Sequence, residues 1–369
     1  MVPLTRGVVA VLLAGASLAV ASAQAPRRAE FTIKTATLAP KSSVWYNELA
    51  QMASDWRRVS GGRVDMTIYE GGTQGDEGDV IRKMQFNQLQ AAAVTAVGIA
   101  PIDEAFYAFT TPLFFQSPDE LFCVMDRMTP TFEKRLEAKG FVLLSMGYAG
   151  WVHAFSRKPV ESLADLKRMK VFTSTGDSKT VQWYKDNGFN PVPLASTDML
   201  TALQTGQVDV VPNTPLGVLT LQWYTQAPYM LDVGIAPLPG AQIVTKRAWD
   251  NLPADVKPGL LQASRAMWTR LRSKVPESDV RAVSAMEKLA KNKLTVTHVK
   301  GTPAQAAFDD LARQYNTKAR GTWVPDDIFD ELVAGRDACR ASTPKPAPPA
   351  TPAKPGVAPK PGSRSPGQP

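Results

Sequence analysis

The sequence predicts an α/β fold with two similar domains. Short apolar strands alternate with amphipathic helices along the chain, which is the pattern of an open, mostly parallel sheet. One helix-turn-strand unit also occurs twice, at residues 84–95 and 203–214. A chain of 369 residues is long enough for two domains with separate cores.

The first four elements follow from hydrophobic periodicity. "FTIKTATL" predicts a strand, and "SSVWYNELAQMASDWRRVS" predicts a helix with Trp45, Leu49, Met52 and Trp56 on one face. "RVDMTIYE" predicts the next strand, and "DEGDVIRKMQF" predicts the helix after it. In sheets of this kind ligands bind at the carboxyl ends of the strands, so polar residues at those ends are candidates for a site.

The repeated unit identifies two such residues. "MQFNQLQAAAVT" and "LQTGQVDVVPNT" each contain a helix end, then Asn87 or Gly206 suited to a left-handed cap, then a strand. The strands reach Thr95 and Asn213. We expect these two residues to face each other across a cleft between the domains.

A third strand end has the composition of an anion site without a cation. "LKRMKVFTSTGDSKTVQW" leads from a strand through Thr173 and a glycine into a helix, and helix N-termini with small hydroxyl residues suit anions. No Arg or Lys stands where the strand ends. Tyr148, Trp151 and Phe172 lie at chain breaks that should line the cleft, where ligand contact and packing are both open interpretations.

The two ends of the chain predict export and a solvated tail. Arg6, an apolar run from Val8 to Ala21 and cleavage before Gln24 are typical of a signal peptide over residues 1–23, which predicts a periplasmic location. The alternative is a membrane anchor, but the run is shorter than the ~20 residues of a spanning helix. Residues 342–369 are rich in Pro, Ala and Lys, which predicts a polyproline-like spacer or tether.

Charge and cysteine content exclude some functions and leave one question open. Most of the net charge of +8 lies in the C-terminal tail, so the body has little excess charge and no basic stripe for nucleic acid. In an exported protein Cys123 and Cys339 can form a disulfide, or they can remain two thiols.

The sequence contains no recognisable catalytic or metal site. Its two histidines, His153 and His298, have no Cys, Glu or His at ligand spacing. The acidic run from Asp76 to Asp79 could bind a cation, but carboxylates are favoured at a helix N-terminus in any case. "EGGTQGDEG" lacks the lysine of a phosphate loop. We therefore expect a protein that is not an enzyme and uses no cofactor or metal.

The order and spacing of several segments resemble those of TRAP transporter solute-binding proteins of the DctP family. The resemblance covers Phe31 to about Arg340, and it is carried by "IKTATLAPKSSVWY", "SGGRVDMTIYEGGTQGDE", "TTPLFFQSPDE", "SLADLKRMKVFT", "ALQTGQVDVVPNTP" and "WDNLPADVKPGLLQAS". It implies a two-domain periplasmic solute-binding protein fold, type II-like, with hinge strands and a long helix. It also implies a small-molecule solute and, as partners, small and large membrane subunits.

The implied domains are divided at the hinge. The first consists of residues 26–148 and about 235–275, and the second of residues 149–234 and about 276–340. The family's main carboxylate-binding arginine corresponds to Phe172, and a second, frequent arginine corresponds to Val152. Asn213 matches a common ligand-binding asparagine. Thr37, Asp76 and Thr95 occupy positions where some members contact ligand.

The missing arginines predict a changed ligand. A desolvated carboxylate would lack a counter-charge, whereas Phe172, Val152, Trp151 and Trp45 offer apolar surface. We expect an apolar or aromatic solute, oriented by hydrogen bonds from Thr173, Asn213 and Thr95. One alternative is an organic acid bound by a displaced cation, Lys170 or Lys179. Another is a sensory or structural envelope protein without a transport role.

Overall fold

The computed structural model describes residues 29–291 and 293–342. The predicted signal peptide and all but the first residue of the predicted tail lie outside the described residues. The strands are β1 Phe31–Thr37, β2 Val64–Tyr69, β3 Ala91–Thr95, β4 Phe141–Ser156, β5 Lys170–Ser174, β6 Asn190–Leu194, β7 Val210–Asn213, β8 Tyr229–Thr245 and β9 Thr295–His298.

Helices separate most of these strands. They are α1 Val44–Val59, α2 Glu77–Gln85, α3 Ala96–Ile99, α4 Pro118–Ala138, α5 Leu163–Arg168, α6 Ser178–Asp186, α7 Met199–Thr205, α8 Pro215–Thr220, α9 Lys246–Asp250, α10 Lys257–Glu287, α11 Pro303–Ala319 and α12 Asp326–Ser342. Short 3₁₀ turns lie at Glu104–Thr110, Ser196–Asp198 and Trp223–Thr225.

The first four predicted elements are confirmed as β1, α1, β2 and α2. α1 begins at Ser43, whose hydroxyl accepts a hydrogen bond from the Tyr46 backbone N–H at 3.2 Å. The helix buries Leu49, Met52 and Trp56, as the periodicity predicts. The repeated unit is also confirmed, because Asn87 (φ 58°) and Gly206 (φ 71°) are both left-handed.

All strands belong to one sheet, in the order β2-β1-β3-β8-β4-β7-β5-β6, with β9 paired to β8. Its outer parts are parallel, as predicted. At the centre, β4 and β8 run antiparallel to each other. On their outer sides, β4 is antiparallel to β7 and β8 is antiparallel to β3. The two long central strands therefore belong to both halves of the protein and act as the hinge strands implied by the family resemblance.

The buried side chains form two lobes. Lobe I comprises residues 29–148, 238–275 and 324–342, with the largest hydrophobic core. Lobe II comprises residues 151–236, 279–291 and 293–323, and its two smaller cores contain apolar residues of β5, β7, the end of β4 and the start of β8. The 31-residue helix α10 passes from one lobe to the other, in accordance with the long helix of the resembling family.

The C-terminal helix differs from the predicted division of the chain. Residues up to about 340 were expected in the second domain, but α12 packs on α4 and contributes Ile328, Phe329 and Leu332 to the core of lobe I. A disulfide joins Cys123 in α4 to Cys339 in α12, with their Cα atoms 6.1 Å apart. This covalent link resolves the open question of cysteine pairing and holds α12 on lobe I.

Candidate functional site

A cavity of about 550 Å³ lies between the lobes, where the carboxyl ends of two parallel strands from each lobe meet. Thr37 and Thr95 end β1 and β3 in lobe I, and Ser174 and Asn213 end β5 and β7 in lobe II. This placement follows the rule for open α/β sheets. The cavity is the candidate site for a small molecule.

Most of the predicted site residues line this cavity. They are Thr37, Trp45, Asp76, Thr95, Tyr148, Phe172, Thr173 and Asn213. The two lobes contribute both polar and apolar groups, so a bound molecule would contact each lobe. The two lobes are also in direct contact at the cavity wall. Oδ2 of Asp76 in lobe I accepts a hydrogen bond from the Ser196 backbone N–H in lobe II at 3.1 Å.

Trp151 and Val152 are not among the lining residues, so their prediction as cavity contacts is corrected. The cause is a bulge in β4, where the pairing with β8 shifts between Tyr148 and Trp151. Gly150 adopts φ 125°, and the Trp151 backbone N–H donates to Oδ2 of Asp279 at 2.9 Å. Because side chains alternate along a strand, this shift redirects the residues that follow it.

Glu77 is a wall residue that the sequence prediction missed. It is the first residue of α2 and only 5% exposed, and its carboxylate accepts hydrogen bonds from the Thr95 backbone N–H at 2.7 Å and the Thr95 hydroxyl at 2.6 Å. Burial raises the pKa of Glu77 to about 7. The acidic run from Asp76 to Asp79 is the sequence signal that contains it, but a carboxylate at a helix N-terminus does not by itself indicate a cavity wall.

Three polar side-chain atoms in the wall are buried without a hydrogen-bond partner. They are the indole N–H of Trp45, the hydroxyl of Thr173 and the carbonyl oxygen of Gln242. Thr173 and Gln242 are each 4% exposed. Buried polar groups in proteins are normally paired, so these three atoms, which have no partner among the described residues, are candidates for hydrogen bonds with a bound molecule. Gln242, on the hinge strand β8, was not predicted.

Among the described residues that line the cavity, there is no lysine, arginine or histidine. The two lysines considered as displaced cations point to other partners. Lys170 donates to the Gly206 carbonyl oxygen, and Lys179 pairs with Glu104 at the rim. The acids Asp76, Glu77 and Asp177 line the wall. A carboxylate in this cavity would therefore meet negative charge and no side-chain cation.

The two histidines lie together outside the cavity wall. Nδ1 of His298 is 2.7 Å from Oδ2 of Asp232, and Nδ1 of His153 is 3.9 Å from Oδ1 of the same residue. Burial lowers the pKa of His153. No group of three or more His, Cys, Asp or Glu side chains within residues 29–291 and 293–342 is arranged to hold a metal ion.

The family model of bacterial extracellular solute-binding proteins, family 7 (DctP), matches residues 35–318. The chain belongs to this family. As a DctP-family protein it is a solute-binding protein of TRAP transport rather than an enzyme, and its family is periplasmic. In the part of the chain that the structure describes, no helix has the length and apolarity to cross a membrane.

Similar proteins of this family bind acids. The chain is 25% identical over 251 residues to the C4-dicarboxylate-binding periplasmic protein DctP of Rhodobacter capsulatus, covering 67% of this chain and 73% of the relative. Its fold is similar to the sugar acid binding protein DctPAm of Advenella mimigardefordensis in complex with galactonate, with TM-score 0.78, 18% identity and coverage of 85% and 100% of the two chains.

A second solved structure shows the same fold. It is a TRAP periplasmic solute binding protein from Desulfovibrio salexigens with bound orotic acid, which has TM-score 0.75, 16% identity and coverage of 84% and 98%. These likenesses establish the two-lobed fold of the DctP-family protein described here. At 18% and 16% sequence identity, these two structures show the fold and do not identify the ligand of this protein.

Proposed function

We propose that this DctP-family protein is the extracytoplasmic solute receptor of a TRAP-type secondary transporter, and that its solute has a large apolar or aromatic part. The protein would carry the solute in the interlobe cavity and deliver it to small and large membrane subunits. The observation that supports the apolar solute is the composition of the wall. It combines Trp45, Phe172 and Trp223 with several leucines, and none of the described residues that line it is basic.

The energetics favour this solute over the acids bound by the relatives. A carboxylate desolvated between the lobes without a cation forfeits a charge-assisted hydrogen bond of about 1.5–3 kcal/mol and leaves a buried charge unpaired. Apolar surface gains on the order of 25 cal/mol per Å² when it is removed from water. Phe172, which the family resemblance places at the arginine position, is part of that apolar wall.

Polar groups in the wall would orient the solute. Thr173 in lobe II and Gln242 on the hinge strand each have a buried oxygen without a partner. Oδ1 of Asn213 accepts the Thr214 backbone N–H at 2.7 Å, so its amide nitrogen is left to donate to the solute. The solute would stabilise the closed lobes in proportion to its preference for the closed over the open arrangement.

Reintroducing an arginine tests this proposal. We expect galactonate and malate to leave the wild-type melting temperature almost unchanged, because no cation meets their carboxylates. Phe172→Arg should restore a charged contact and increase the affinity for at least one of these acids about tenfold or more, as measured by calorimetric titration.

Val152→Arg is the matched control, since Val152 corresponds to the family's second arginine but lies outside the wall. It should give no gain. Tight binding of either acid by the wild-type protein would contradict the proposed apolar solute. Native mass spectrometry of gently purified protein would independently reveal the mass of any solute retained from the cell.

A further inference from the structure

The wall carries negative charge from both lobes. Asp76 and Glu77 belong to lobe I, and Asp177 belongs to lobe II. Asp76 accepts the backbone N–H groups of Glu77 at 2.9 Å and Ser196 at 3.1 Å. The Asp76 carboxylate is thus bound by neutral backbone donors rather than by a cation.

The other two acids follow the same pattern. Asp177 accepts the Thr180 backbone N–H at 3.0 Å, and Glu77 accepts hydrogen bonds from the backbone N–H and the hydroxyl of Thr95. Helix N-termini offset part of the charge, because Asp76 caps α2 and Asp177 caps α6. A helix N-terminus contributes only about half an elementary charge, so the sum remains negative.

A second, independent feature also calls for a donor on the ligand. Gln242 lines the cavity and is 4% exposed, and its buried carbonyl oxygen has no partner among the described residues. An N–H group of a bound molecule would satisfy it. The aromatic rings of Trp45, Phe172 and Trp223 in the same wall provide faces on which a cation is attracted by the ring quadrupole.

From these contacts we infer that the solute is an organic ammonium ion, with a protonated nitrogen attached to its apolar body. The nitrogen would lie near the carboxylates and Gln242, and the body would contact the aromatic wall. A cation in the cavity would also offset the negative charge that Asp76 contributes from lobe I and Asp177 from lobe II. This inference rests on the proposed function, since it adds a charge to the proposed apolar solute.

Matched probes separate the charge of the solute from its body. Phenethylammonium, phenethyl alcohol and phenylpropionate share a phenyl body, and tryptamine, tryptophol and indolepropionate share an indole body. We expect the ammonium member of at least one series to bind about tenfold more tightly than its alcohol, and the carboxylate to bind most weakly. Calorimetric titration of the full-length protein measures all six.

A variant of one wall residue then tests whether a carboxylate of the wall causes the preference for the ammonium probe. Asp76→Asn keeps a good N-cap for α2 but removes one charge and alters the Ser196 contact across the cleft, so it should weaken ammonium binding about tenfold more than it weakens alcohol binding. Asp119→Asn is the control, because Asp119 is exposed in the first turn of α4 and outside the cavity wall. It should change neither affinity.

The outcomes distinguish this inference from the proposed function. Equal or tighter binding of the alcohols, with the carboxylates weakest, would overturn the ammonium inference and retain the apolar solute. Preference for the carboxylates would overturn both. Binding of none of the six probes, or equal weakening of ammonium binding by Asp119→Asn, would also overturn the inference.

Discussion

Glu77 combines deep burial with a complete set of neutral hydrogen-bond donors. Its carboxylate bonds to both the backbone and the hydroxyl of Thr95, which fixes the end of β3 at the cavity. Gly98 packs directly beside it, where an added Cβ would approach the Glu77 Cβ to 2.9 Å. The residue therefore positions the strand end at the cavity wall.

The raised pKa of Glu77 makes stability depend on pH. Its pKa is about 7 in the folded protein and near 4.5 in the unfolded chain, so between these values the folded state holds a proton that the unfolded state has released. The free energy of unfolding should therefore fall as the pH rises from about 4.5 to 7, by at most about 3 kcal/mol from this group. Urea unfolding at a series of pH values measures it.

Glu77→Gln is the comparison for that measurement. The variant should lose this part of the pH dependence, while Asp279, whose pKa is raised to about 6 by burial, contributes with the same sign in both proteins and cancels in the difference. Identical pH profiles for wild type and variant would show that Glu77 does not keep its proton in the folded state.

The site residues that could be predicted share one property. Thr95, Thr173 and Asn213 lie at or beside strand ends whose apolar runs are visible in the sequence, and the topology brings those ends together. Glu77 and Gln242 could not be found this way. Their burial depends on packing between elements that are distant in sequence, which no local pattern encodes.

At the scale of elements, β4 shows where prediction by register fails. A bulge between Tyr148 and Trp151 changes which residues face the cavity. The carboxylate of Asp279 in α10 stabilises this bulge by accepting the Trp151 backbone N–H. The same carboxylate accepts the Leu216 backbone N–H at 2.9 Å, which ties the start of α8 to the hinge. A helix far along the chain thus determines the register of the strand.

The disulfide between α4 and α12 should contribute measurably to stability. Replacing Cys123 and Cys339 by serine opens a loop with a sequence separation of 216 residues, and we expect the free energy of unfolding to fall by about 2–4 kcal/mol. Urea unfolding without reductant measures this. Wild-type protein in excess reductant should match the variant, and unchanged stability on reduction would contradict the prediction.

Binding provides the internal control for that variant. Neither cysteine lines the cavity, and both belong to lobe I. The affinity for any probe that binds the wild type should therefore persist in the double serine variant under conditions where it remains folded.

At the scale of the whole molecule, the two lobes meet at polar contacts around the cavity. Asp76 reaches Ser196 across the cleft, and Lys179 in α6 pairs with Glu104 in lobe I. The two-lobed architecture was predictable because the strand-helix alternation and the repeated unit are local patterns. The contacts that hold the lobes together were not, since they depend on the angle between the lobes.

Reversing one of these charges should open the cleft. Lys179→Glu places two acids together at the rim, so we expect a larger radius of gyration by small-angle X-ray scattering at low ionic strength, diminishing as salt screens the repulsion. Lys318→Glu is the control, because Lys318 pairs with Asp186 inside lobe II. Equal radii for both variants would show that the Lys179 contact does not hold the lobes together.

The position of the disulfide also has a consequence for the order of assembly. Cys123 precedes lobe II in the chain and Cys339 follows it, so the covalent ring encloses lobe II completely. All residues of the lobe II cores are present once residue 323 has been synthesised, whereas the core of lobe I also needs α12. Lobe II is thus inserted in the sequence of lobe I. The disulfide links the part of lobe I that precedes lobe II to the part that follows it.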